Sequence, residues 1–155
     1  MLIMRTEVQV KGITGADVAT FMLNCTDADY QRWWPGTHLA FHTIRRVPGD
    51  LGSLVLFDEY VGKRRLRFVG VVVENVPGKK VAWQMKKVIK LPGWLILNFA
   101  DNSEGVTITH ELAVGFTGVG RILDPLLRVF LPKSFERELA EHARIEFQKL
   151  ATILK

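Results

Sequence analysis

Three polar residues fall where the pattern of the chain calls for apolar ones, and their types suit proton transfer. His110 interrupts the alternating series Val106, Ile108 and Leu112, so its imidazole faces the same way as three aliphatic side chains. Glu59 belongs to a strand segment and Glu146 to a helical stripe that are otherwise apolar on the face each occupies. A histidine in an apolar cavity can hydrogen-bond a carbonyl or exchange a proton near neutral pH. Burial raises the pKa of a carboxyl and suits it to the same task. An acid/base pair drawn from Glu59, His110 and Glu146 fits an aldol-type cyclisation or a dehydration, in which one proton leaves carbon beside a carbonyl and another is delivered. The bland alternatives are a core histidine bonded to its neighbours, and glutamates that snorkel to solvent or sit one residue out of register.

Other chemistries have less support. Glu138, His142 and Glu146 recur at four-residue spacing on one helix, as metal ligands sometimes do. There is no His-Glu-x-x-His or Glu-x-x-His pair, and helix surface charge is the better reading, so no metal and no cofactor is expected. Cys25, the single cysteine, excludes an internal disulfide and has no evident base near it in sequence. No Gly-x-Gly-x-x-Gly, Walker loop or Gly-x-Ser-x-Gly elbow occurs. The 21 Lys and Arg against 16 Asp and Glu give a formal charge of +5. The excess sits at Lys63-Arg64-Arg65, Lys79-Lys80 and Lys86-Lys87, positions that read as turns and outward strand residues rather than a nucleic-acid face. No stretch has the length of a membrane span and no secretory signal opens the chain, so a cytoplasmic protein is expected.

The elements that must position these residues follow from periodicity. With 155 residues, 48% apolar and 24% charged, the chain suits one globular domain over 1–155. Residues 2 to 10 alternate as a half-buried strand. Thr14-Gly15-Ala16-Asp17 and Thr26-Asp27-Ala28-Asp29 read as two helix caps, the second helix carrying Tyr30, Trp33 and Trp34 and stopping at Pro35. From about 37 to 117, turn residues separate six strands with short connections, which makes the sheet antiparallel. A two-residue turn at Gly62-Lys63 pairs Phe57 with Phe68 and Asp58 with Arg67. Pro77-Gly78 pairs Val72 with Trp83 and Gly70 with Met85. A four-residue loop at 101 to 104 pairs Phe99 with Val106, Leu97 with Ile108 and Leu95 with His110. After breaks at Pro125 and Pro132, residues 133 to 153 form one helix with the stripe Phe135, Leu139, Ala143, Phe147, Leu150, Ile153 and Leu154; Glu146 lies inside it and His142 at its edge.

Strand, two small helices, six antiparallel strands and a long final helix resembles the helix-grip fold of the START/Bet v 1-like (SRPBCC) superfamily, including its polyketide cyclase/dehydrase-like branch. The residues that carry the likeness are Trp33-Trp34-Pro35, the turn Glu74 to Lys79, the strand Thr107-Ile108-Thr109-His110-Glu111, and the tail from Gly120 through Leu123-Asp124-Pro125-Leu126 to Glu141-His142. The resemblance implies an α+β fold with a seven-stranded curved sheet around the last helix, and a cavity between them for a hydrophobic molecule such as a lipid, polyketide or quinone. Trp34, Phe57, Phe68, Trp83, Met85, Leu97, Phe99, Ile108, Leu126 and Phe130 are the expected ligand contacts. Residues 122 to 131 are more apolar than one buried stripe needs, which suits a lid, a protein interface or, flanked by Arg121 and Arg128, a transient membrane contact. Carrier or sensor, cyclase or dehydratase, and partner module stay open at this point, as does the oligomeric state.

Overall fold

The computed structural model describes residues 1–154. A first strand, β1 (Leu2–Lys11), leads to two short helices, α1 (Gly15–Asn24) and α2 (Asp27–Trp33). Six strands follow: β2 (His38–Arg45), β3 (Leu54–Val61), β4 (Arg64–Val76), β5 (Lys80–Lys86), β6 (Lys90–Asp101) and β7 (Gly105–Val114). A 3-10 segment (Gly118–Leu126) and a single turn, α3 (Leu127–Phe130), lead to the long helix α4 (Lys133–Ile153). All seven strands form one antiparallel sheet in the order β1-β7-β6-β5-β4-β3-β2, so the first strand closes beside the last. α4 packs across the concave face, and the arrangement is the helix-grip fold expected from the sequence.

Local chemistry explains the helix boundaries. The Thr14 side chain accepts from the Asp17 amide at 3.2 Å, while the Thr14 amide donates to the Asp17 carboxylate at 2.8 Å, a reciprocal capping box. Thr26 caps α2 through the Asp29 amide in the same way. Pro125 lies inside the 3-10 segment, and Pro132, with no amide to offer, stands at the entry to α4.

Two of the three hairpin registers are as expected: Phe57 opposes Phe68, Asp58 opposes Arg67, Val72 opposes Trp83 and Gly70 opposes Met85. The Asp58 side chain nevertheless takes a bidentate pair from Arg65, at 2.8 and 2.7 Å, with Arg67 farther off at 3.7 Å. The third register differs by two residues. Phe99 opposes Ile108, Leu97 opposes His110 and Leu95 opposes Leu112. The turn falls one residue later than expected, after Asp101 opposite Val106, where the Asn102 carboxamide accepts from the amides of Glu104 and Gly105. A shift of two leaves every side chain on its face.

The concave face and α4 enclose the core, with Phe41, Phe57 and Phe68 stacked in a row and Trp83 set edge-on to Phe57. A second, smaller cluster of Met4, Val61, Leu112, Phe135 and Leu139 seats the first turns of α4. Residues 118 to 130 contribute nothing fully buried, so Leu126 and Phe130, expected to face a ligand, point to solvent instead.

Gly15 marks how closely α1 lies on the sheet: a Cβ there would stand 2.5 Å from the Phe99 Cβ and 2.6 Å from the Gly78 carbonyl. Alanine is the better helix former by about 1 kcal/mol, yet Gly15→Ala is expected to destabilise by about 1–3 kcal/mol through overpacking. Urea unfolding checks the sign; a raised midpoint would mean that α1 can slide off the sheet at no cost.

Candidate functional site

The chain between α2 and β2 builds one side of the site. The Thr37 amide bonds the Trp34 carbonyl at 3.2 Å across Pro35 and Gly36, whose φ of +79° is the one a type II turn requires at that position. The turn hands the chain to β2 at His38, and a register shift between His38 and Ala40 places His38 opposite Glu59 of β3. α4 supplies His142 and Glu146, one helical turn apart on the side that meets β3.

His38, Glu59, His142 and Glu146 thereby meet, one donor atom from each lying within 4.8 Å of all the others. His38 Nε2 is 3.6 Å from Glu59 and 3.4 Å from Glu146; His142 Nε2 is 3.3 Å from Glu59 and 3.4 Å from Glu146. Both Nε2 atoms are buried, and neither makes a hydrogen bond among the described residues. The surroundings hold the four in place. His38 Nδ1 faces the Tyr30 carbonyl at 3.2 Å, so Nδ1–H is the donor there. The Tyr30 ring stacks on His38 at 3.9 Å, and its hydroxyl donates to Glu59 at 2.6 Å. The Trp33 indole N–H donates to the Glu146 carbonyl at 2.5 Å, and Trp34 leans on His142 at 4.8 Å.

The electrostatics follow from this packing. Burial opposes a charge on His142, but the Glu146 and Glu59 carboxylates outweigh it and hold the imidazole up to about 10. Burial opposes the Glu146 charge too, and His142 with His38 overcomes it, holding the carboxyl down to about 2. Tyr30 is pushed well above its ordinary value, first by burial and then by the Glu59 charge. Burial lowers His110, against the pull of Glu146 and Glu59.

The cluster separates two spaces. Inside, a cavity of about 20 Å³ is lined by Met22, Tyr30, Trp33, Phe57, Glu59, Leu95, Leu97, His110, Glu146 and Phe147. That is room for one water molecule. Outside, a cleft of about 220 Å³ is lined by Trp34, Thr37, Tyr60, Gly62, Glu138, Glu141, His142 and Ile145.

The structure thus brings the expected Glu59, His110 and Glu146 onto one cavity. Of the expected ligand contacts, Phe57 and Leu97 line it and Trp34 lines the outer cleft. Trp83, Phe99 and Ile108 are buried in the packed core away from it, while Phe68 is half-buried against that core and Met85 against the smaller cluster. Surface charge holds for Glu138, which is exposed, and fails for His142 and Glu146, which are 5% and 6% exposed. His38 was missed altogether, although the Pro35-Gly36 turn just before it signals a redirected chain.

No protein-family model and no curated protein matches the chain. Solved structures do. A START superfamily protein from Mycobacterium smegmatis is 14% identical with a TM-score of 0.60, over 99% of this chain and 98% of that one. Ara h 8.0201 is 8% identical with a TM-score of 0.64, over 99% and 97%. Ginseng major latex-like protein 151 from Panax ginseng is 14% identical with a TM-score of 0.56, over 91% and 95%. The chain has a START/Bet v 1-like fold, and at such identities the likeness speaks for the fold alone. Among the described residues no helix is long and apolar enough to cross a membrane.

Cys25, 6% exposed, has its thiol pushed up to about 12, first by burial and then by Asp29 and Asp27. Only the thiolate reacts, so Cys25 is expected to resist iodoacetamide at pH 8 in native protein and to react once the chain is unfolded. Mass spectrometry of the alkylated chain reads this, and rapid native labelling at pH 8 would show an accessible thiolate.

Proposed function

We propose that this chain binds a hydrophobic small molecule, of the lipid, polyketide or quinone class, between the sheet and α4, and acts as a carrier or sensor within one domain. The observation that carries the reading is the inner cavity, where Glu59, Glu146 and His110 converge on walls otherwise made of Met22, Tyr30, Trp33, Phe57, Leu95, Leu97 and Phe147. A few polar groups on an apolar wall are the usual recipe for orienting a small ligand. The His110 Nδ1, buried and without a partner, is free to meet a ligand carbonyl or hydroxyl.

The space is small. A drug-sized ligand needs roughly 300 Å³ or more, against about 20 Å³ inside. Binding must therefore part α4 or α2 from the sheet, and the outer cleft beside Trp34 and His142 is the natural entry. The enzymatic alternative, a cyclase or dehydratase with Glu59, His110 and Glu146 as acid and base, is less well served: a carboxyl held near 2 is a poor base at neutral pH. His110 is the better candidate of the three.

Native mass spectrometry of gently purified protein is expected to show a bound mass of a few hundred daltons that is lost on denaturation. Once that molecule is known, His110→Ala should weaken its binding about tenfold through one lost hydrogen bond. Turnover of the molecule that disappears in His110→Ala, with affinity within a few fold, would favour the enzyme; an empty protein that no lipid or quinone stabilises would sink both.

A second reading rests on the exposed apolar residues after β7. Val119 is 91% exposed, Ile122 81%, Val129 75% and Phe130 71%, and Val88 at the β5–β6 tip is 94%. The contacts of Gly93 with Val114 and of Gly115 with Pro92 put that tip at the same end of the sheet, with Lys86, Lys87, Lys90, Arg121 and Arg128 among these residues. Such a mixture suits an anionic membrane surface, from which a hydrophobic cargo could be collected. Co-sedimentation with phosphatidylserine-containing vesicles should be measurable at low salt, fall steeply as salt rises, and be lost in the Ile122→Ser, Phe130→Ser double variant; no sedimentation at low salt would discard the contact.

A further inference from the structure

We propose that His38, Glu59, His142 and Glu146 form a binding site for one divalent first-row transition cation, with zinc as the type. The inference stands apart from whether a hydrophobic molecule binds beside it, because it rests on the donor atoms themselves.

The distances separate this reading from a set of hydrogen bonds. A charged N–H···O contact closes to about 2.7–2.9 Å. The four histidine–carboxylate separations are 3.6, 3.4, 3.3 and 3.4 Å, and both Nε2 atoms lack a hydrogen bond. Donors held tetrahedrally about 2.1 Å from a central cation lie about 3.4 Å from one another. The four mixed contacts have that length, while the like pairs, up to 4.8 Å apart, leave a flatter ring that a cation would draw in. All four donor atoms fall within 4.8 Å of one another, so closing onto a cation takes movements of up to about 0.7 Å from each donor.

Proton positions argue the same way. The Tyr30 carbonyl can only accept, so His38 Nδ1 carries a proton, which leaves Nε2, facing two carboxylates, as the nitrogen able to offer a lone pair to a cation. Two carboxylates in so sheltered a place call for positive charge between them, which a bound cation would supply in place of the His142 proton. A dication opposite two carboxylates and two neutral imidazoles leaves the set uncharged, which meets the cost of burying the anions. The outer shell is what a metal site needs: His38 is oriented by a backbone carbonyl, and Glu59 is held by the Tyr30 hydroxyl at 2.6 Å. A route in exists as well, since His142 lines the outer cleft whose mouth carries Glu138 and Glu141.

The donor set selects the class of ion. Two imidazoles with two carboxylates suit Zn²⁺, Co²⁺, Fe²⁺ or Ni²⁺; magnesium and calcium prefer oxygen alone, and no thiolate is present for a soft ion. The cation would tie β2, β3 and α4 together at one point.

Protein stripped with a chelator and titrated with Zn²⁺ by calorimetry is expected to take up one equivalent and to gain thermal stability, with Mg²⁺ failing to compete. Co²⁺ should give the strong visible ligand-field bands of a four-coordinate site. Glu146→Gln, which keeps the side-chain volume, should lose stoichiometric uptake and the Zn²⁺-dependent rise in Tm. His42→Asn should keep both, because His42 lies outside the site and pairs with Asp27 at 2.7 Å. No saturable uptake by the wild type, uptake that survives Glu146→Gln, or loss with His42→Asn would overturn the proposal. Should Glu146→Gln fail to fold, the wild-type Co²⁺ spectrum decides, and weak six-coordinate bands count against the site.

Discussion

Two carboxylates drawn under a helix, Glu146 buried and Glu59 half-buried, set the terms for the rest of this molecule. Glu59 and Glu146 cannot leave water without positive charge or donors around them, and removing one partner of such a set costs about 3–5 kcal/mol. The surrounding structure meets that demand at one point. The Pro35-Gly36 turn and the irregular start of β2 aim His38, α4 brings His142, Tyr30 donates its hydroxyl, and Trp33 ties α2 to the α4 backbone beside Glu146. Elsewhere α4 is held mainly by apolar contacts, Phe135 and Leu139 near its start and Phe147 and Leu150 farther on, with one further polar tie where the Gln148 side chain donates to the Gln9 carbonyl at 2.6 Å. Apolar burial is non-directional and would allow the helix to slide or turn; four polar groups that must meet do not. The grip of helix on sheet is thus strong everywhere and specific at the cluster.

How much of this the sequence carries depends on the range of each interaction. Helix starts rest on residues three apart, and both Thr caps could be read directly. Hairpin registers rest on a turn and a two-residue period, which sufficed for Gly62-Lys63 and Pro77-Gly78. At Asn102 the turn falls one residue later, yet the parity of the strands kept His110 facing inward. The cluster is another matter. Glu138–His142 and His142–Glu146 have the same four-residue spacing, and nothing local says that one pair is half in solvent while the other is under the sheet edge. Which it is depends on where α4 crosses β3, a contact across some 80 residues of chain. The position of His38 depends on a bulge, which leaves no periodic trace at all.

The closed interior changes how the fold should be thought of here. Phe41, Phe57, Phe68 and Trp83 fill space that a preformed ligand chamber would leave open, and the residue is a cavity the size of one water beside Glu59, His110 and Glu146. Capacity for a ligand then has to come from movement. Parting α4 from the sheet along its apolar length would expose core surface at about 25 cal/mol per Å², which disfavours a wholesale opening. The cheaper breach is at the outer cleft, where Trp34 and His142 line the solvent side of the cluster and Glu59 and Glu146 the inner side. Anything entering there must displace or engage the polar cluster. The groups that fix the helix and the groups that would meet an incoming molecule are therefore the same, and a cation or proton held among them would strengthen the wall that such a molecule has to pass.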